Sequence, residues 1–404
     1  MATLHEFPEP RWTERLQGVN GDPTKPLAIY GNCALAFEES PDWIGALTYN
    51  ELSRSTVIQR NCPSGCAGER WGTTQVGLAT KWFHSLRIFA PTSVVGQAAE
   101  DTSKQFRFHP VRQYLSSLTW DGVVRNERWL KTYLKVPLTD FTSAVGDKWL
   151  MSAVARAFKP GCKADYCLIL EGSQGIRKST ALRTLASDEF FSDMIGHDLS
   201  NKDSAILCAG AWIIEHSELE SLSNSGLGAL KAFFSRVEDH YRPPYGRYSE
   251  RFPRQCVFAG TTNEDEYLVD PTGNRRFWPV RCTDQADIDG LARDRDQLWA
   301  EAVYRYRTVG MWWLEDWEEQ AAKKEQESRI GQHPWTEPIA EWIKAKKLTN
   351  VSSREVIEQC PALPKNIQLN LSNERIISHC LRSPLIGFEL YRRDGYRRYR
   401  KSAK

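Results

Sequence analysis

The chain has 404 residues, enough for two or three domains each with its own core. Its hydrophobic content of 41% and charged content of 26% are those of a soluble globular protein, and no apolar run approaches the length of a bilayer span. The formal net charge of +2 conceals a basic end: residues 391–404 carry seven Lys/Arg against one Asp, which leaves the rest of the chain net acidic.

A local basic segment points to a polyanionic partner. The first residues, Met-Ala-Thr-Leu-His-Glu-Phe-Pro, contain no apolar signal region, so a cytoplasmic location is expected. The 10 cysteines are scattered, several of them inside apolar runs (Cys167, Cys208, Cys256), which suits reduced thiols better than a disulfide framework. Cys62 and Cys66 have the spacing of half a zinc site, but no second Cys/His pair stands at a matching distance.

In chain order, residues 1–110 are mixed, with short apolar runs between Gly, Pro and Ser turns, and form an N-terminal domain of open fold. Residues 111–164 show helical spacing, with Trp129, Leu130, Tyr133 and Leu134 followed by Trp149, Leu150, Val154 and Ala157, and read as a helical collar. Trp120-Asp-Gly interrupts them with a turn. From 165 to 316 the pattern is α/β: apolar strands at 166–170, 211–214 and 256–259 alternate with helical stretches, as in a parallel sheet. A helix is predicted at 287–309. Residues 317–334 are charged and glutamine-rich, and are expected to be a linker or a solvated helix.

The final segment, 335–404, reads as a small separate domain. A capping box opens one helix at Ser352-Ser-Arg-Glu, and a second begins near Ser372. Strands at 388–392 and 396–400 flank Asp394-Gly395, a hairpin signal. Helix, helix, basic hairpin is the order of a winged helix. Arg392, Arg393, Arg397 and Arg398 are candidate DNA contacts, or else solvated.

The chemistry concentrates in Gly172-Ser173-Gln174-Gly175-Ile176-Arg177-Lys178-Ser179-Thr180, which follows a buried strand and opens a helix. Glycines let backbone N–H groups turn inward, and the helix presents its positive end to an anion. Lys178 is expected to reach the β- and γ-phosphates of ATP, and Ser179 to hold Mg²⁺. The usual motif has glycine where Arg177 stands. Trp212-Ile-Ile-Glu215 delivers a carboxylate at a strand end, suited to Mg²⁺, and Glu218 is a candidate to polarise the attacking water. Asn263, ending another buried strand, is a candidate sensor of the γ-phosphate. Arg275 and Arg276 follow a tight turn, and one of them is expected to reach a neighbouring subunit's phosphate. Arginines interleaved with tyrosines from Arg242 through Tyr245 and Arg247 to Arg251 either track a nucleic-acid backbone or form a solvated loop.

With these residues in place, the chain resembles the virulence-associated E family of phage and mobile-element ATPases, which looks like superfamily 3 helicases of the AAA+ group. The likeness runs from about 105 to 315: His109-Pro-Val-Arg-Gln-Tyr-Leu, Leu118-Thr-Trp-Asp-Gly, Val154-Ala-Arg-Ala, Pro160-Gly-Cys-Lys, the glycine loop, Trp212-Ile-Ile-Glu, Phe252-Pro-Arg and Thr261-Thr-Asn through Arg275-Arg-Phe-Trp. The resemblance implies an α/β, AAA+-like P-loop core, a helical region before it and a winged-helix-like domain after it. It implies a hexameric ring with ATP between subunits and single-stranded or forked DNA through the centre. Lys178 and Ser179 would then bind phosphate and Mg²⁺, Glu215 would be the Walker B acid and Asn263 the sensor. Arg275 or Arg276 would act in trans, and the loop from Arg242 to Arg251 would face the pore. Relatives often carry a primase. Residues 1–110 hold no Asp-x-Asp on a strand for two metals, so no primer synthesis is expected and a primase can be encoded separately.

The leading expectation is an ATP-driven DNA helicase for phage or mobile-element replication. The alternative is a DNA-binding AAA+ ATPase that remodels or loads a replication complex without processive unwinding. A P-loop kinase would need an acceptor pocket and leaves the basic hairpin unexplained. A replication protein with a decayed ATPase would show no turnover.

Overall fold

A computed structural model describes residues 11–193, 202–217, 219, 224–242, 248–268, 274–330, 334–364, 367–383, 385–393 and 396–401. The N-terminal part runs α1 (Tyr30–Glu39), β1 (Leu47–Asn50), β2 (Ser55–Ile58), α2 (Thr73–Ser85), α3 (Thr92–Ser103) and β3 (Arg107–Phe108). β1 lies between β2, antiparallel to it, and β3, parallel to it. An aromatic cluster fills its core: the Phe37 ring meets Trp43 edge-on at 4.7 Å and Phe83 at 5.1 Å.

Three helices follow: α4 (Pro110–Ser117), α5 (Trp129–Leu134) and α6 (Asp140–Phe158). Pro110 sits where its missing N–H costs nothing, behind His109, whose ring accepts from Arg112 N. Thr139 closes a capping box at the start of α6. The helical spacing expected at 111–164 forms. α6 is buried on nearly every side, its Asp147, Lys148 and Arg156 included, and its apolar residues share one core with the sheet beyond it. Trp149 Nε1 donates to Phe258 O at 2.9 Å, and Trp212 Nε1 on the sheet returns a bond to Ala153 O at 3.0 Å.

The central sheet is built from β4 (Cys167–Glu171), β5 (Phe191–Ser192), β6 (Ile213–His216), β9 (Val257–Thr262) and β10 (Phe277–Arg281), in the order β10-β4-β9-β6-β5, all pairs parallel. β4 and β9 are buried at every residue, as strands covered on both faces must be, and this is why they read as unbroken apolar runs. Between them in sequence come α7 (Lys178–Ala186), α8 (Lys202–Leu207), α9 (Asn224–Phe234) and an antiparallel hairpin of β7 (Glu238–Tyr241) and β8 (Glu250–Pro253). α10 (Ile288–Thr308) packs against α6 and α7, capped by Asp287, whose carboxylate accepts from Gly290 N.

For residues 317–334 the expectation is a linker or a solvated helix, and the helix forms, but with one face buried. Residues Asp316–Glu327 form α11, docked on β10 and α6. Glu318, Ala322 and Gln326 lie along its inner face at i, i+4 and i+8. The two polar ones are buried because they are partnered: Glu318 pairs with Lys148 of α6, and Gln326 Nε2 donates to Phe277 O at 2.8 Å. The last part comprises α12 (Thr336–Lys346), β11 (Asn350–Val351), α13 (Ser353–Gln359), α14 (Leu371–Arg382), β12 (Phe388–Arg393) and β13 (Tyr396–Lys401) around its own apolar cluster. Its three strands form an antiparallel sheet in the order β11-β13-β12. The Ser352 capping box forms as the sequence predicts, whereas α14 starts one residue earlier than expected because Asn370 is its cap. The Asp394-Gly395 turn lies outside the described residues.

Candidate functional site

β4 ends at Glu171, the chain turns through Gly172–Arg177, and α7 begins at Lys178. Gly172 has φ +132°, and a Cβ there would stand 2.4 Å from Cys282 O, so no other residue fits without moving β10. Ser173, Gln174 and Gly175 are exposed, which leaves the mouth of the loop open at the N-terminus of α7. Thr180, in the first turn of α7, is exposed as well.

Lys178 is buried, and its Nζ donates to Gly172 O at 2.5 Å, to Ser173 O at 2.9 Å and to Asn263 Oδ1 at 3.0 Å. Asn263 comes from the end of β9, the strand beside β4. From β6, on the far side of β9, Glu215 Oε1 accepts from Ser179 Oγ and from Thr261 Oγ1, each at 2.6 Å. Five side chains, from the ends of the adjacent parallel strands β9 and β6 and from the N-terminus of α7, thus meet beside the loop in two hydrogen-bonded groups, Lys178 with Asn263 and Glu215 with Ser179 and Thr261. Ligands bind in this position in open α/β sheets.

Glu215 is 1% exposed, and its Oε2 has no hydrogen-bond partner. A buried carboxylate oxygen left unpaired costs more than a hydrogen bond, unless a cation is its partner. Ser179 spends its proton on Glu215, so the lone pairs of its Oγ remain for the same cation. The residues present therefore fit a hard divalent ion bound at Ser179 and Glu215, beside an anion cradled by the loop N–H groups and Lys178.

Arg177 has φ +66°, the left-handed region that glycine occupies freely. The departure from the usual motif therefore costs backbone strain, while the side chain itself is exposed. An L-residue pays roughly 1–2 kcal/mol for this conformation, part of which glycine's unfolded-state entropy cancels. Arg177→Gly is expected to raise stability by about 0.5–1 kcal/mol. A higher thermal midpoint checks this, and a lower one would mean that the arginine side chain holds the loop.

The paired arginines separate. Arg276 turns inward, its Nε donating to Ser235 Oγ at 2.7 Å and standing 3.7 Å from Asp165, whereas Arg275 is exposed. Of the arginine-tyrosine stretch, Arg242 follows the last residue of β7 where the chain enters the turn, and Arg251 lies in β8. Arg251 is largely exposed, 3.6 Å from Glu238, and Tyr248 is 78% exposed. Tyr245, Arg247 and Glu218 lie outside the described residues. In the C-terminal sheet Arg398 is not a free contact: it bonds Glu355 and Asn350 at 3.0 Å. Arg392 and Arg397 are exposed and directly opposite each other across β12 and β13; Arg393 is the next residue of β12.

The motif reading misses Glu171, 1% exposed and the residue just before the loop. Arg329 binds both of its oxygens, at 2.8 and 2.9 Å, and Tyr267 O–H donates to Oε1 at 2.9 Å. Burial works against the Arg329 charge, but the Glu171 and Glu325 carboxylates more than offset it and hold its pKa above the usual guanidinium value. Burial and Glu171 keep Tyr267 a neutral donor. The only sequence signal was the acid itself at the end of a buried strand.

Residues 115–330 match the virulence-associated protein E-like domain, more than half of the chain. The chain belongs to that family. Every residue of the hydrogen-bonded constellation falls within the span of this virulence-associated protein E-like domain. No curated protein matches the chain in sequence. Among solved structures the chain is similar to the apo NrS-1 C-terminal region (305–718), at 10% identity and TM-score 0.45, over 88% of this chain and 95% of that one. A second, the A form of the apo NrS-1 C-terminal region, gives 11% identity and TM-score 0.43 over 88% and 96%. No helix among the described residues is long and apolar enough to cross a membrane.

Proposed function

We propose that this virulence-associated protein E-like chain is an ATP-driven, ring-forming DNA helicase of phage or mobile-element replication. The observation that carries this reading is the two adjoining groups, Lys178 with Asn263 and Glu215 with Ser179 and Thr261, and the unpaired buried oxygen of Glu215. Lys178 exchanges the carbonyls of Gly172 and Ser173 for the β- and γ-phosphates of ATP, and Ser179 and Glu215 hold Mg²⁺. When bound, the metal neutralises charge that develops on the phosphate oxygens. Asn263, already bonded to Lys178, senses the γ-phosphate, and Glu218 is the candidate for orienting water. Arg275, the exposed member of its pair, reaches the site of the next subunit in a hexamer, and Arg276 anchors the segment that carries it.

For DNA, the β7–β8 hairpin with Arg242, Arg247 and Arg251 faces the pore. The C-terminal unit, whose helix-strand order supports a winged-helix-like reading, offers Arg392, Arg393 and Arg397.

The test measures ATP turnover with and without single-stranded DNA, together with strand separation of a forked duplex. DNA-stimulated turnover with separation is expected; turnover without separation would favour the remodelling ATPase. Lys178→Ala subunits mixed with Arg275→Ala subunits should recover activity at about one interface in four, the fraction pairing an intact loop with an intact arginine. No recovery would remove the trans role of Arg275.

A further inference from the structure

The turn between β1 and β2 leaves the N-terminal sheet and enters the motor. Asn50 Oδ1 shapes it by accepting from Leu52 N at 2.9 Å and Ser53 N at 3.1 Å. Leu52 is 2% exposed and belongs to the same apolar core as Trp212 and Trp299, and its carbonyl accepts from Gly210 N at 2.9 Å. Glu51 O accepts from Gln255 Nε2 at 2.9 Å, and its carboxylate pairs with Arg112 at 3.0 Å. Arg54 then reaches furthest. Its Nη1 donates to Tyr241 O–H at 2.9 Å, its Nη2 to Pro253 O at 3.2 Å, and its guanidinium lies 4.5 Å from the Phe252 ring centre. Tyr241 ends β7, and Phe252 and Pro253 end β8, with the two rings 4.6 Å apart.

Arg54 thus touches both strands of the hairpin, reaching Tyr241 at the turn end of the ladder and Pro253 at its open end. Its backbone pays for this position with φ +55°, a conformation that persists in a non-glycine residue where surrounding contacts over-determine it. Lysine can replace it only in part, because its ammonium has no planar face to stack on the Phe252 ring while its donors reach the two acceptors.

We propose that the β1–β2 turn is a clamp that fixes the pose of the β7–β8 hairpin, with Arg54 as its positioning residue. This gives the N-terminal part a task in the motor: it holds the DNA-tracking element, an inference that rests on the proposed helicase reading for its consequence but not for its mechanics. Among the described residues, the contacts of Arg54 are with Tyr241, Phe252 and Pro253 of the hairpin and not with the phosphate loop. Its loss should therefore leave nucleotide affinity alone and weaken the response to DNA.

Two readouts on the full chain test this. In Arg54→Ala, amide exchange of segment 238–253 is expected to speed up while that of β4 and β9 is unchanged. The concentration of single-stranded DNA giving half-maximal ATPase stimulation should rise about tenfold, the size of one cation–π contact plus a hydrogen bond. Arg54→Lys should recover only part of it. Tyr241→Phe should reproduce a share of the effect, and the double variant should be less than additive. Unchanged exchange in the hairpin overturns the clamp, and so does strict additivity. If wild type shows no DNA stimulation, the helicase reading fails, and the exchange result alone decides the clamp.

Discussion

Lys178→Ala is expected to abolish ATP turnover, by about 10²- to 10³-fold or to background, the cost of removing one preorganised charge from a reacting centre. The geometry makes the effect specific. Lys178 is the donor to two loop carbonyls and to Asn263, so its removal takes a positive charge from the cradle and disconnects β9 from it. Nucleotide affinity and turnover should fall together. Glu215→Gln should behave differently. The amide keeps an oxygen to accept from Ser179 and Thr261, so the fold and nucleotide binding should survive while the negative charge for the metal is gone. Binding of a fluorescent ATP analogue beside phosphate release separates the two variants. A Lys178→Ala protein turning over at the wild-type rate would move the active site elsewhere.

Arg254→Ala is expected to destabilise the α/β core by about 3–5 kcal/mol, the usual cost of leaving a buried charge without its partner. Arg254 and Asp239 are both fully buried, joined by two bonds of 2.9 and 2.7 Å, and the guanidinium lies 4.1 Å from the Phe233 ring centre. Asp239 sits in β7 and Arg254 just beyond β8, so the pair closes the hairpin and seats it on α9. Replacing both partners, as Asp239→Leu with Arg254→Met, should recover much of the loss, because the desolvation cost disappears along with the attraction. Thermal melting of the single and double variants checks this. A single variant that melts like wild type would mean that the hairpin is held by the clamp and by packing alone.

What the sequence made legible was local. The glycine loop, the fully apolar strands, the Ser352 capping box and the basic hairpin are each written within a dozen residues, and each forms. What stayed hidden depends on partners far away in the chain. Arg275 and Arg276 are equivalent as letters; Asp165 and Ser235 decide that Arg276 turns inward. Glu318 and Gln326 read as a solvated stripe because nothing nearby announces Lys148 or the Phe277 carbonyl. The N-terminal sheet was unreadable for the same reason, since β1 pairs in parallel with β3 after two intervening helices. Arg54 carried no signal at all, because its meaning lies in Tyr241 and Pro253.

The bond between Arg329 and Glu171 has a consequence for how such chains are assembled over evolution. Arg329 stands just past α11, and Ile330 forms a bridge with Leu268, the same residue at which the family match ends. Among the described residues, the partner that Glu171 draws from beyond α11 is Arg329. A tail joined beyond that point is expected to be exchangeable without breaking this pair. A junction placed two residues earlier would strand a buried carboxylate beside it. A graft placed after Arg329 would keep this ion pair, and family members with unrelated tails are expected to carry the same arginine.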